Sequence, residues 1–349
     1  MRIAFLVNDV DTEHPSAATT VMAFAAARMG HDVTMVGVAD LSYYSDGRIE
    51  AVGRKPPVVE GVSQAEFLQA LQSKEAERTT ITSGDLDVLY LRYNPVEEGA
   101  GEKPWVQEAG LIFGQMAVRR GVIVLSHPYT MPFAISKMYL EHFPAEVRPQ
   151  TLITRDVGRI RQFHESQGGR IVLKPLQGYG GKDVFLLDES AANLQQIVES
   201  ITRYSYVVAQ EFLPAATEGD TRLFLFNARP LQRDGKYAAI RRVNSSGDFR
   251  SNMSLGARPE KAEITPRMLE IAELVRPRLL ADGIFDVGLD IVGDKLVEIN
   301  AISAGGLNAA SHIEQVDFGV GVIELIERKV EFRKRYGAQL RNRALAVMD

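Results

Sequence analysis

Apolar residues run unbroken from 3 to 7, which suits a strand buried on both faces. A helical spacing follows over 17–29, and Gly30 stands where a left-handed residue ends a helix. Residues 31–36 return to a strand pattern, so the chain opens β-α-β and predicts a parallel sheet. Residues 41–52 alternate around Asp46-Gly47, a hairpin signal. Helices are expected over 63–74 and 105–120, and strands over 87–91 and 122–125. A first domain then ends near residue 125.

Beyond it the pattern changes. Residues 147–157 lead into a helix around 158–166. Strands are expected at 170–174, 183–187 and 206–210, with a helix over 191–202. The simplest reading is a small antiparallel unit with helices on one face. Strands dominate from 221 to a helix at 266–280, and a hairpin covers 286–300. The tail from 320 is amphipathic and ends in Lys and Arg, a placement that complements a helix C-terminus. It reads as a solvated terminal helix. The expected division is 1–125, 126–215 and 216–349, of mixed α/β and α+β class. The chain carries no internal repeat and no low-complexity segment.

Composition narrows the function. The formal charge is -5 over 349 residues, against the net basic face of a general nucleic-acid binder. There are no cysteines, so disulfides, thiolate zinc sites and cysteine nucleophiles are excluded. The chain start turns acidic too soon for a signal peptide, and the apolar stretch at 21–27 is too short to span a membrane. A cytoplasmic enzyme is the expectation.

Four constellations carry candidate chemistry. The strand-loop-strand from Leu173 to Val184 contains Lys174, Gly178, Gly180 and Gly181. Its glycines let backbone N–H groups turn toward an anion. It lacks the Gly-Lys-Ser/Thr ending and following helix of a Walker loop. A lid over a nucleotide and a hairpin tip are both compatible with it. The second is Asp290, Glu298 and Asn300. Glu298 and Asn300 lie two apart, on one strand face. Asp290 joins them only if Gly293-Asp294-Lys295 makes a three-residue turn, since a two-residue turn puts it on the opposite face. Three such oxygen ligands suit Mg²⁺ and not zinc; a polar hairpin face in water is the plainer alternative. Third, Arg222, Arg241, Arg242 and Arg250 offer forked donors for carboxylate or phosphate, though each singly reads as surface charge. Only one of Arg241 and Arg242 can enter a given site. Fourth, Gln210-Glu211-Phe212-Leu213-Pro214 ends an apolar strand and can wall a flat base, or simply turn. None of the six histidines has metal-ligand spacing.

Taken in order, these pieces resemble the ATP-grasp superfamily and, within it, the bacterial glutathione synthetase family. The resemblance runs from Ile3 to about Glu327 and is strongest from Thr151 to Asn300. Lys174 to Gly181 resembles the family's Lys-Pro-Leu-Asp-Gly-x-Gly-Gly, with Gln177 for the aspartate. Gln210 to Pro214 resembles its adenine-side hinge, and Gly219-Asp220-Thr221-Arg222 its Gly-Asp-x-Arg turn. Arg242, Arg250 and Asn252 fall on its active-site loop. Gly288 to Asn300 resembles its metal hairpin, with Val297 for threonine, and Lys137 sits at its first phosphate-binding lysine. The resemblance implies an ATP-grasp fold behind an N-terminal parallel-sheet domain. It implies ATP, Mg²⁺ or Mn²⁺, small acid and amine substrates, and a dimer or tetramer. Lys137, Lys174, Gly178, Gly180, Gly181, Gln210, Glu211, Phe212, Leu213 and Asp220 would hold ATP. Asp290, Glu298 and Asn300 would hold metal, and Arg222, Arg242 and Arg250 would act in catalysis. Arg92, Asn252, Ser303, Gly305 and Gly306 would meet substrate.

The departures lie on the substrate side. The family's Asp-Pro after the first strand is Asn8-Asp9-Val10 here, and its Arg-Lys-Asp-Pro-Pro is Arg92-Tyr93-Asn94-Pro95-Val96. Its Ser-Pro-Thr is Ser303-Ala304-Gly305. The implied activity is an ATP-dependent carboxylate–amine ligase working through an acyl-phosphate. The alternatives are a ligase for another acid and amine, a kinase-like enzyme that stops at phosphoryl transfer, and a nucleotide-binding protein without ligase chemistry.

Overall fold

The computed structural model describes residues 1–57, 60–94, 105–178, 180–244 and 250–349. Pro95 and Val96 of the altered substrate segment, Tyr179 of the glycine loop and residues 245–249 of the arginine loop lie outside the described residues.

The N-terminal sheet holds β1 (Arg2–Val7), β2 (Asp32–Gly37), β3 (Leu41–Tyr43), β4 (Ile49–Arg54), β5 (Arg78–Thr82), β6 (Val88–Leu91) and β7 (Ile123–Leu125). Its order is β3-β4-β2-β1-β6-β7, with β5 on β4. β2, β1, β6 and β7 are parallel, as the opening pattern predicts. β3 and β4 form the hairpin around Asp46-Gly47, and Gly47 takes φ +81° at its tip. β1 is buried from Ile3 to Val7 because helix Ala18–Arg28 covers one face and helix Val106–Arg119 the other.

The second sheet holds β8 (Thr151–Thr154), β9 (Ile171–Pro175), β10 (Phe185–Leu187) and β11 (Val207–Glu211) in antiparallel order β10-β9-β11-β8. Ile171, Leu173, Val207 and Ala209 share the face that meets helices Val157–Ser166 and Leu194–Thr202. The alternate residue Lys174 therefore points away from that small core. β8 was read as a lead into a helix; its four residues are all half-buried, which left little pattern to find.

The third sheet begins with β12 (Asp220–Phe226) and two-residue β13 (Arg229–Pro230), which pairs with it; β14 (Gln232–Arg233) and β15 (Lys236–Tyr237) form a separate hairpin. It continues with β16 (Ala239–Val243), β17 (Arg258–Glu260), β18 (Asp286–Val292) and β19 (Lys295–Asn300), ordered β17-β16-β12-β18-β19 and antiparallel. Helix Pro266–Asp282 covers it. Thr265 caps that helix by accepting from the Met268 N–H, Pro266 fits its first turn, and Gly283 ends it at φ +69°.

Two expectations need correction. The β18–β19 turn has two residues, Gly293 and Asp294, since Val292 pairs with Lys295. A two-residue turn continued in regular register would set Asp290 opposite Val297. A bulge at Val297 shifts the register, and Asp290 pairs with Glu298 instead. The two carboxylates share a face through a bulge and not through a longer turn. The C-terminal helix, Phe318–Tyr336, is not solvated all round. Phe318, Val322, Ile323, Ile326 and Val330 are buried against helix Ala18–Arg28 and its neighbours. Each such side chain contributes about 1.5–3 kcal/mol by leaving water. Lys329 on that face is fully buried, donating to Asn227 Oδ1 at 2.6 Å and the Met348 carbonyl at 2.7 Å. A last short helix, Asn342–Leu345, closes the β7 edge: Asn342 accepts from the Val124 N–H at 2.8 Å and donates to the Val124 carbonyl at 2.9 Å.

Candidate active site

A cleft of about 550 Å³ opens between the second and third sheets, a usual size for a small-molecule site. Lys174 reaches it from β9. Its ammonium donates to Gln210 Oε1 at 2.9 Å and the Val297 carbonyl at 3.4 Å. Burial pushes it down to about 8, with Glu298 and Asp290 opposing that shift and Lys137 adding to it. Lys137 opens the 3-10 turn Lys137–His142, where Ser136 accepts from the Met138 N–H. Its backbone N–H donates to the Leu176 carbonyl at 3.0 Å, and its ammonium donates to the Gly178 carbonyl at 3.1 Å and lies 3.8 Å from Glu298. Tyr139 anchors the same turn by donating to Asp282 at 2.9 Å. Two cations thus converge where a polyphosphate would neutralise them.

The glycine loop closes one side. Gly181 has φ +73°, and a Cβ there would lie 2.6 Å from Asn252 Oδ1. A side chain at that position would push the two loops apart. Arg250 donates to the Gly181 carbonyl at 3.2 Å, so the arginine loop and the glycine loop touch across the cleft mouth. On the far wall, Gln210, Glu211, Phe212 and Leu213 line the cleft as β11 ends. Glu211 accepts from the Gln150 N–H at 3.0 Å, and the Arg170 guanidinium stacks 4.4 Å from the Phe212 ring. Val172, Val208, Phe212 and Leu213 give this wall an apolar surface of the kind a flat base requires.

The floor is an ion network on the third sheet. Arg222 clasps Asp290 with two 2.7 Å bonds. Arg242 clasps Asp220 at 2.7 and 2.5 Å and also reaches Asp290 at 2.8 Å. Asn300 donates to Asp290 at 3.1 Å. Burial would raise the Asp290 carboxyl, but Arg222 and Arg242 overcome it and hold it at about 2. Burial pushes Asp220 up to about 6 against the pull of Arg242. Arg241, the neighbour in sequence, is exposed and donates to the Glu218 carbonyl. One of the two arginines enters the site, as strand alternation requires.

Glu298 and the carbonyl oxygen of Asn300 are hard donors of the kind a divalent cation takes together with phosphate oxygens. Asp290 Oδ2 already accepts from Arg222, Arg242 and Asn300. Oδ1 accepts from Arg222 Nε and keeps a second lone pair through which Asp290 could ligate a metal. No cluster of three His, Cys, Asp or Glu side chains suited to a metal occurs among the described residues.

The far end of the cleft is formed by Ser303, Gly305 and Gly306, and the Gly305 carbonyl accepts from Arg222 at 3.1 Å. Ser16, Asn94 and Asn308 also line it. Sequence reasoning passed over Ser16 and Asn308, since a lone serine in a loop and a lone asparagine on a helix carry no spacing signal. Arg92, expected at the substrate, lies outside the cleft. It is buried in an ion pair with Asp286 and a 3.3 Å bond to Thr19. The hole beside it holds only about 10 Å³, room for one water at most. The other site residues expected from the sequence all line the cleft.

Comparison with known proteins follows this geometry. Residues 136–315 match the family described as prokaryotic glutathione synthetase, ATP-grasp domain, and residues 1–128 match its N-terminal domain. The chain belongs to the prokaryotic glutathione synthetase family. It is 32% identical over 338 residues to a glutathione synthetase of Synechocystis, covering 94% of this chain and all of the relative. A glutathione synthetase of Gloeobacter violaceus is also 32% identical, over 96% of this chain and 98% of its own length. Among solved structures, D-cycloserine synthetase DcsG superposes with a TM-score of 0.61 over 93% of this chain and 99% of its own, at 16% identity. The ATP-grasp ligase PsnB gives a TM-score of 0.61 at 17% identity, over 94% and 98%. These two share the fold. The synthetase relatives and the cleft make this chain an ATP-dependent ligase that joins a carboxylate to an amine, releasing ADP and phosphate. No helix among the described residues is long and apolar enough to cross a membrane.

Proposed function

We propose that this ligase makes glutathione, joining the carboxylate of γ-glutamylcysteine to glycine with Mg²⁺·ATP. The observation that carries the reading is the convergence of Lys137, Lys174, Arg222, Arg242, Glu298 and Asn300 on one cleft in a chain that matches glutathione synthetases end to end. Lys137 and Lys174 neutralise the polyphosphate, and Gln210 to Leu213 wall the purine. A divalent metal held by Glu298 and Asn300, joined by Asp290 through Oδ1, would supply charge neutralisation at the transferred phosphoryl group. A carboxylate is a poor electrophile because oxide leaves badly; phosphorylation converts it to an acyl-phosphate that an amine can attack. The chain's own task is positioning and charge stabilisation. Arg222 and Arg242 steady the donor carboxylate and its acyl-phosphate, exchanging part of their hold on Asp290 and Asp220 for it. The Gly178–Gly181 and Arg250 loops close over the site and keep water from the intermediate.

The same reading divides the chain at about residues 125 and 215, along the three sheets, and expects a cytoplasmic dimer or tetramer. A second reading, another acid and amine, is favoured by Asn94 and by Ser303 to Gly306, which depart from the family pattern at the far end of the cleft. ADP release separates the two. Release that requires γ-glutamylcysteine and glycine together supports glutathione synthesis. Silence with that pair, in protein that binds Mg²⁺·ATP, overturns it in favour of another pair.

A further inference from the structure

The loop between β1 and helix Ala18–Arg28 is pinned from outside by one helix, Gln64–Gln72. Gln72 donates to the carbonyls of Val10 (3.0 Å), Asp11 (3.3 Å) and Glu13 (2.9 Å). Gln64, at the other end of the helix, donates to the Pro15 carbonyl and to Asn308 Oδ1 at 3.3 Å. Its amide therefore ties the N-terminal layer to helix Leu307–Glu314 of the catalytic layer. Gln64 does not line the cleft, but one partner, Asn308, does, and the other, Pro15, precedes Ser16, which also does.

The hydrogen bonds assign polarity to both. His14 Nδ1 lies 2.7 Å from Ser16 Oγ, and whichever of the two carries the hydrogen between them, the Ser16 oxygen keeps a lone pair. The Ser16 oxygen is left as an acceptor. Asn308 spends its carbonyl on Gln64, so its amino group is left as a donor.

We propose that Ser16 and Asn308, held in place by Gln64, select the non-nucleotide substrate by presenting one acceptor and one donor to an amide or α-amino-acid group. An ammonium or amide N–H meets Ser16; a carboxylate or carbonyl oxygen meets Asn308. Gln64 is a positioning residue, and it acts only through the other two. The inference rests on the cleft being the ligase site, and it holds whether or not the product is glutathione.

The test is ADP release by the full chain with Mg²⁺·ATP and a panel of acids and amines. The panel holds γ-glutamylcysteine with glycine, other dipeptides and amino acids, and each compound's deamino or descarboxy analogue. Asn308→Ala and Ser16→Ala are then compared with wild type on the most active pair. KM for one non-nucleotide substrate should rise on the order of 10-fold or more in each variant, as a lost hydrogen bond to a charged group predicts. KM for ATP should stay within about twofold. Gln64→Leu should reproduce part of that KM rise with kcat and the ATP KM held, and Gln64→Asn should not rescue it because its amide is one carbon short. Unchanged substrate KM values, or an equal rise for ATP, would overturn the proposal. Equal use of the analogues, or activity with no amino-acid-like pair, would overturn the substrate class. Inactivity with γ-glutamylcysteine and glycine beside activity with another amino-acid pair refutes the glutathione reading alone.

Discussion

Two buried arginine–aspartate pairs stand four residues apart on β18, and they do opposite things. Asp290 and Arg222 form the floor of the cleft. Asp286 and Arg92 are sealed between the N-terminal layer and the third sheet, under Phe224, Phe226 and Leu307. The residue types match, and so does the strand face. What differs is the neighbourhood. Asp290 has a second cation and an amide around it, so it keeps a charged partner when Arg222 lets go, although that partner, Arg242, is shared with Asp220. Asp286 leans on Arg92, with Tyr90 close by, and burial pushes its carboxyl up while Arg92 opposes the shift. A redundant pair is available for chemistry, and a lone sealed pair is a strut.

The sharpest break of this comparison is substitution at the cleft. Glu298→Gln keeps shape and removes the charge beside Lys137, at a side chain 30% exposed. Turnover should fall about 10³-fold, with the melting temperature within about 2 °C of wild type. Normal turnover in that variant would sink the metal and phosphate assignment. Next, Arg222→Met should cost about 10²–10³ in kcat and less stability than breaking the sealed pair would, because Asp290 keeps Asn300 and a share of Arg242, which also serves Asp220. Arg92→Met should do the reverse. It strands the Asp286 carboxylate and should cost about 3–5 kcal/mol of stability, read by denaturant unfolding, with ATP affinity held. A double change, Arg92→Met with Asp286→Leu, should recover most of that loss. If Arg92→Met instead left stability intact and abolished turnover, the strut assignment would fall.

The smallest expected effect lies at Lys329. Burial holds its ammonium down at about 7, against 10.5 for an ordinary lysine. Between those values the unfolded chain binds the extra proton, so stability rises with pH. The lysine's gain is complete above 10.5 and lost as pH falls toward 7. The neutral amine still has two N–H groups for Asn227 and Met348. Relative to Lys329→Met, the wild-type melting temperature should climb from pH 7 to pH 9 by roughly 2 °C per unit. A flat difference would mean that the amine stays charged.

Where local chemistry decides structure, the sequence was readable. Asp46-Gly47 announced its hairpin and the unbroken apolar run at 3–7 a covered parallel strand, while Lys174 and its glycine loop fitted a nucleotide lid and a hairpin tip alike until the order of the motifs was weighed. Three features were not readable, each for a physical reason. The bulge at Val297 is a register choice made by the partner strand, and no residue type demands it. Arg92 and Arg222 look alike until the chain is folded and only Arg222 meets the cleft. The burial of the last long helix depends on a surface donated by helix Ala18–Arg28, some three hundred residues earlier.

Asn342 has a consequence for self-association. β7 is the edge of the N-terminal sheet, and an open edge is a template for any passing strand. The Asn342 amide occupies both the N–H and the carbonyl of Val124, as one residue of a neighbouring strand would. A single side chain thus serves as a plug against strand addition. Its hydrolysis to aspartate would set a carboxylate oxygen against the Val124 carbonyl and expel the plug. Without that amide, the Val124 N–H and carbonyl would both lose their partner on the open side of β7.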